Sequence, residues 1–212
     1  MPSYNNRNFA VLRLIIPKMA QYIITTVTPG LPPNLVQVLE LAQASQFATA
    51  YKDYCRQVIF NQLGSTASQT IDCVNNDVNP GLCYLFPLSN VKGIYSGNDA
   101  TLNCAAQGWV LSTFQINDFF TSLHYTQNIL PSNLSAKMRD ELLGYDNDNV
   151  GATTDGISYY WKNGVYNFTK PSVGNYRSLI IGFGDGIQIT MMCNSAGNLQ
   201  ATAIAAHQDW HP

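Results

Sequence analysis

Charge is scarce in this chain. Only 11% of its 212 residues are charged, 11 Lys and Arg against 13 Asp and Glu, for a net charge of −2. Soluble domains average about 25%. The cations are scattered, with no basic block, which excludes an electrostatic nucleic-acid surface. Long apolar runs are also missing: FAVLRLIIPKMA and LIIGF are broken by charge, Pro or Gly, whereas a membrane-spanning helix needs roughly 18 to 20 apolar residues. No charged segment followed by an apolar one opens the chain, so a secretory signal, if the protein is exported, is not contained in it. The three histidines, His124, His207 and His211, show no ligand spacing with Cys or carboxylates. His207 and His211 stand at i, i+4 without the intervening Glu of a metalloprotease helix, and all three are expected as isolated surface residues. Gly182-Phe183-Gly184-Asp185-Gly186 sits between two strand-like runs with no helix start behind it, so it is not a phosphate cradle. No metal and no cofactor is expected.

What is present is a chain 46% hydrophobic, enough for one large domain or two small ones. With so few charges, polar coverage falls to Asn, Gln, Ser, Thr and Tyr, a composition met in secreted proteins. Asn133-Leu134-Ser135 and Asn167-Phe168-Thr169 fit the glycosylation sequon. Five cysteines, an odd number, leave at least one thiol free or paired elsewhere. Cys73 and Cys83 bracket a loop, VNNDVNPGL, that a local disulfide would close; two unpaired cysteines in a surface loop fit the sequence equally well. These features favour a secreted or periplasmic location.

The pattern along the chain changes near residue 150. Phe9, Leu12, Ile15, Ile16 and Met19 recur at helical spacing from Asn8 to about Gln21, with Pro17 expected to kink or shorten the helix. TTVTPGLPPN is a loop, and Asn34 stands at the cap position of a second helix, LVQVLELAQASQ. A third, YKDYCRQVIFNQLG, presents Tyr54, Val58 and Ile59 on one face and has Gly64 as its stop. Residues 65 to 107 are rich in turn formers. Ser112 or Thr113 caps a helix through QINDFFTSLHYTQ, and SNLSAKMRDELLG forms another, capped at Ser132 or Asn133 and stopped at Gly144. Beyond DNDNVGATTDG, the runs ISYYWKNGVYNF, NYRSLIIGF and IQITMMCNS read as strands, the last two joined at Gly184-Asp185-Gly186, a hairpin signal because Gly tolerates positive φ. NLQATAIAAHQDW is expected as a closing helix on the sheet. Helices, then antiparallel strands, then a helix define an α+β architecture, with residues 1–150 as a helical part and 151–212 as the strands and closing helix.

Several of these segments, in this order, carry a family resemblance. Tyr4-Asn5-Asn6 running into NRNFAVLRLIIPKMA resembles the Tyr-x-Asn motif and following helix of the serine hydrolases related to class C β-lactamases and penicillin-binding proteins. YKDYCRQVIFNQLG resembles that family's next helix, GWVLSTFQINDFF its Gly-Gly-x-x-Ser segment, and the hairpin with the final helix its C-terminal end. The likeness covers most of the chain, with an extended stretch at 22 to 50. Lys162-Asn163-Gly164 falls where the family has its third motif, Lys/His-x-Gly, on the edge strand beside the active site. Asn163 replaces the usual Thr or Ser, which removes a hydroxyl from the substrate carboxylate.

The resemblance implies a β-lactamase/transpeptidase-like fold, here a C-terminal portion of the hydrolase, and acyl transfer from an ester, peptide or lactam to serine and then to water. Tyr4 is implied as the proton relay, its phenolate favoured by neighbouring lysines because a phenol of ordinary pKa near 10 is a poor base at neutral pH. Asn6 is implied to hydrogen-bond the substrate, Gly164 to let substrate approach the strand, and the backbone N–H of Val165 to supply half of the oxyanion hole. Trp161 adjoins this edge by the same resemblance; from residue type alone it is a packed strand aromatic. The family nucleophile, the Ser of Ser-x-x-Lys, belongs upstream of Tyr-x-Asn. The one match, Ser89-Asn90-Val91-Lys92, lies downstream in a turn-rich stretch containing Pro87 and Gly93. The isolated chain is therefore expected to be inactive. The alternative is a non-catalytic binding or interaction protein that keeps the fold.

Overall fold

Helix α1 (Asn6–Met19) forms over the expected run and contains Pro17. It ends two residues later in a left-handed turn at Gln21 (φ 61°), where the Tyr22 N–H donates to Pro17 O at 2.9 Å and the Gln21 N–H to Lys18 O at 3.1 Å, the pairing that closes a helix end. The computed structural model describes residues 6–26, 29–74, 101–105, 108–146, 150–167, 175–195 and 197–210. Cys83, the Ser89–Lys92 segment, Tyr4 and His211 lie outside them, as do the side chains of Asn6 and Asn167. The chain divides into two units, Met1–Asn76 with Asn98–Leu111, and Asp77–Gly97 with Ser112–Pro212.

In the first unit a single helix, α2 (Pro33–Val58), replaces the two expected over 35–46 and 51–64. No breaker separates those stretches. Phe47-Ala48-Thr49-Ala50 joins them, Ala being the best helix former, and Phe47, Ala48, Ala50, Tyr51 and Cys55 supply the buried face. Tyr54 and Ile59 are only half-buried, and Val58 is exposed. The start falls at Pro33, with Pro32 rather than Asn34 at the cap position, because proline at the first position carries no orphan N–H and already has a helical φ. Gly64 is not the stop: the helix gives way after Val58 to a tight turn at Phe60–Gln62.

Trp109 packs edge-on to Phe60 at 4.9 Å between ring centroids. Asp72 ties the loop to α2, with Lys52 Nζ at 2.6 Å and Arg56 at 3.5 Å, while its main-chain carbonyl accepts from Val110 N–H at 2.8 Å. Burial pushes the Asp72 carboxyl up, but these cations and the Cys73 N–H outweigh it and hold the pKa below the ordinary carboxylate value. Cys73 is bonded to Cys104, with Cα atoms 5.9 Å apart, and so is not available to Cys83. The bridge closes a long loop instead of the local one the spacing suggested.

The second unit is α+β. Helix α3 (Thr113–His124) begins with a capping box: Ser112 accepts from the Gln115 N–H and the Gln115 side chain from the Ser112 N–H. Helix α4 (Ser132–Asp140) follows, with Pro131 at its cap position. It closes through Leu142 (φ 53°) before reaching Gly144 (φ 86°). Strands β1 (Gly151–Ala152), β2 (Ser158–Asn167), β3 (Asn175–Phe183) and β4 (Gln188–Cys193) form an antiparallel sheet in the order β1-β2-β3-β4. Gly186 (φ 91°) turns the β3–β4 hairpin, as expected.

Alternation along the strands assigns the two faces. Leu179, Ile181 and Phe183 pack with Ala203 of α5 (Leu199–Trp210), joined by Tyr159, Trp161, Ile189 and Met191. On the other face Tyr160 meets Phe120 of α3 at 6.0 Å, and Gln188 Nε2 donates to Asn117 Oδ1 at 3.0 Å. Each face of the sheet is thus covered by a helix. Helices α3 and α4, which precede residue 150, belong to this unit with the strands.

Candidate functional site

Lys162, Asn163, Gly164 and Val165 lie together on β2, opposite Ile180, Leu179, Ser178 and Arg177 of β3. Beyond Tyr159 no strand among the described residues pairs with the other side of β2. Asp146 takes part of that edge. Its N–H donates to Trp161 O at 2.9 Å, and its carboxylate accepts from the Asn163 N–H at 2.7 Å and from the Lys162 ammonium. Because main-chain groups alternate sides along a strand, the outward Asn163 N–H fixes the Val165 N–H as outward too. The edge therefore offers a donor at 163 that Asp146 holds and another at 165.

Side-chain alternation divides the motif. Lys162 and Gly164 share the face of Tyr160, toward α3, whereas Asn163 shares the α5 face with Trp161. A Cβ at Gly164 would stand 2.6 Å from Ser178 Oγ, so a side chain there would require the serine hydroxyl to turn away. On the α5 face, Asn163 and Val165 border a groove of about 460 Å³ that Arg177 and the start of α5 also line. Arg177 donates to Gly197 O at 3.0 Å. Trp161 is half-buried against the core under α5, where it acts as a packing residue.

Asp146 is the residue that sequence reasoning missed. Nothing in its spacing announces it; it follows the turn that ends α4 and reaches Lys162 only through tertiary structure. The ion pair is partly screened, with side-chain exposures of 31% for Lys162 and 19% for Asp146, so its worth lies nearer to that of a surface pair than of a buried one.

Of the three histidines, the two within the described residues, His124 and His207, are not the isolated surface residues expected. His124 is buried on α3, its Nδ1 hydrogen-bonded with Ser135 Oγ at 2.8 Å and its Nε2 with the Tyr145 hydroxyl. Burial, reinforced by the Arg139 cation, pushes its pKa down to about 4. His207 is buried on α5, pairs through Nε2 with Asp185 Oδ2 at 2.7 Å and stacks on Phe183 at 3.8 Å. Both lie at helical positions whose neighbours are apolar, and there a polar ring must find partners. Ser135 is 1% exposed, so its contact with His124 is a packing bond and not a nucleophile open to substrate. Among the described residues no group of three or more His, Cys, Asp or Glu side chains is placed to hold a metal, and no helix is long and apolar enough to cross a membrane.

No protein-family model matches this chain, and neither a curated protein nor a solved structure matches it.

Proposed function

We propose that this chain is a portion of a β-lactamase-related serine hydrolase, with a β-lactamase/transpeptidase-like fold in its complete form. The observation that carries the reading is the setting of Lys162-Asn163-Gly164. The motif lies on a strand whose outer side, among the described residues, pairs with no further strand beyond Tyr159 and is met by Asp146, Lys162 and Gly164 face the same way, and the β3–β4 hairpin and α5 follow. In the complete enzyme, serine of a Ser-x-x-Lys helix attacks the carbonyl of an ester, peptide or lactam. The leaving group departs, and water then releases the acyl group.

By the resemblance, Lys162 is the motif's cation, Tyr4 the relay for the serine proton and Asn6 a hydrogen-bonding partner of the substrate. The Val165 N–H, directed off the strand edge, serves as an oxyanion donor, a contribution worth about 3 to 4 kcal/mol of barrier. Asp146 holds the Lys162 ammonium and the Asn163 N–H, so that the cation is fixed along the edge. The substrate is a small molecule or peptide bearing an ester or amide, and the reaction requires no cofactor.

The test is acylation. The 212-residue chain should remain unlabelled by a fluorophosphonate and by a labelled penicillin, whereas a form extended by the upstream coding sequence, with a Ser-x-x-Lys helix, should label stoichiometrically. Absence of any such helix upstream would sink the reading in favour of a binding protein. Labelling of the short chain at Ser89 would instead relocate the nucleophile.

A further inference from the structure

Helix α4 and the turn after it, residues 132–146, bury a single side chain, that of Ser135. The others are exposed or half-buried and include Lys137, Arg139, Asp140 and Glu141, so little apolar burial holds the segment to the rest of its unit. Three of its hydrogen bonds go to one residue, His124. Ser135 Oγ lies 2.8 Å from the ring Nδ1, the Tyr145 hydroxyl bonds Nε2, and Arg139 Nη1 donates to the His124 main-chain oxygen at 3.4 Å. Next to Tyr145 stands Asp146, whose N–H donates to Trp161 O and whose carboxylate accepts from the Asn163 N–H and from Lys162. His124, Tyr145 and Asp146 thus join a buried ring to the outer side of β2.

We propose that His124 is an acid-released latch on the β2 edge: protonation of its ring frees residues 132–146, and Asp146 leaves the Asn163 N–H and the Lys162 ammonium with them. An imidazolium in the closed form has no counter-ion among the described residues, where the one ion pair made by a histidine is that of His207. From α4 the ring faces the Arg139 guanidinium, from the turn the Tyr145 phenol, and from β2 the Tyr160 phenol, at 5.7 Å between ring centroids, with Tyr125 beside it. Lys162, two positions beyond Tyr160 on the same face, is a second cation. Burial raises the Tyr145 and Tyr160 phenols above their usual range, so neither supplies an anion. On α3 itself the acid is Asp118, about 120° round the helix from His124. A buried cation left without an anion is relieved by water, and the ring reaches water most easily by moving its lightest cover. Phe120 and Tyr160, which pack on it from α3 and β2, are 2% and 9% exposed; the segment on its other side buries one residue. Local openings follow such differences in burial. With the segment released, the outward N–H of residue 163 joins that of 165 as an open donor. None of this depends on the acyl-transfer role given to Lys162.

Amide hydrogen exchange of the intact chain, followed residue by residue by NMR at pH 7 and pH 4.5 and corrected for intrinsic rates, tests the latch. Protection at Asp146 and Asn163 should be lower than at Ile181 of the core at both pH values, the mark of a local opening. It should also fall about 50-fold from pH 7 to pH 4.5, the linkage expected of a ring that titrates at about 4 when closed and at the ordinary 6.5 when open. His124→Asn, which takes up no proton, should abolish most of that fall. Should this variant fail to fold, the ring signals of His124 in the parent chain decide: they must titrate below the ordinary value, and the loss of protection must follow them. Protection at Asp146 and Asn163 that is constant over this range, that equals the protection of Ile181, or that keeps its pH dependence in His124→Asn overturns the proposal. So does a ring that titrates near its ordinary value while the edge stays closed.

Discussion

In the sheet unit, Leu179, Ile181, Phe183 and Ala203 are between 0% and 2% exposed, whereas in the helical unit Ile23, Val38 and Leu41 stand 60% to 98% in solvent. Both regions are rich in Leu, Ile and Val. The difference is one of partners: each face of the sheet has a helix against it, while the apolar side chains of the first half of α2 remain exposed among the described residues. Burial and not composition sets what a side chain contributes, at about 25 cal/mol for each Å² of apolar surface removed from water. The sheet unit buries its apolar residues, and the first half of α2 leaves its own in solvent.

The largest expected effect is on the sheet side. Ile181→Ala should cost about 3 kcal/mol in urea unfolding followed through Trp161, because it opens a cavity between β3 and α5. A loss below 1 kcal/mol would mean that the packing contrast between the units is wrong.

His124 comes next. Its folded pKa of about 4 lies below the ordinary value of 6.5, so between those values the unfolded chain takes up a proton that the folded chain does not. Its contribution is complete above pH 6.5 and is lost as pH falls toward 4, by about 2 kcal/mol. Unfolding curves at pH 7.5 and 4.5 check this, and His124→Asn should flatten that part of the dependence.

The smallest effect belongs to the first half of α2. Val38→Gln should change stability by no more than about 0.5 kcal/mol, as for an ordinary surface position. A loss comparable to that of Ile181→Ala would show Val38 to be buried and would erase the comparison.

Local chemistry carried the legible part of this fold. A cap at Ser112 or Thr113, the three long strands, the positive-φ Gly186 and the closing helix all follow from residues a few positions apart, and each appears in the structure, the cap falling at Ser112. What the sequence hid depends on distant partners. The continuity of α2 through Phe47-Ala48-Thr49-Ala50 was open to local reading, since no breaker lies there, but the buried face that makes it one element was not. Cys73 pairs across 31 residues with Cys104, a distance that spacing alone does not rank against the nearer Cys83. The burial of His124 and His207 comes from helical faces whose apolar neighbours were visible, but whose polar partners, Ser135, Tyr145 and Asp185, were not. Of the candidate site, the strand bearing Lys162 and Gly164 was legible; the Asp146 contact was not, because a loop after α4 delivers it.

Lys162 offers the most direct test of the functional account. In the extended, Ser-x-x-Lys-containing form, Lys162→Ala should slow fluorophosphonate acylation by about 100-fold or more, the scale of a lost electrostatic group at the reacting centre, with the fold intact by circular dichroism. Acylation at an unchanged rate would contradict the account and leave Lys162 as an ordinary strand lysine paired with Asp146.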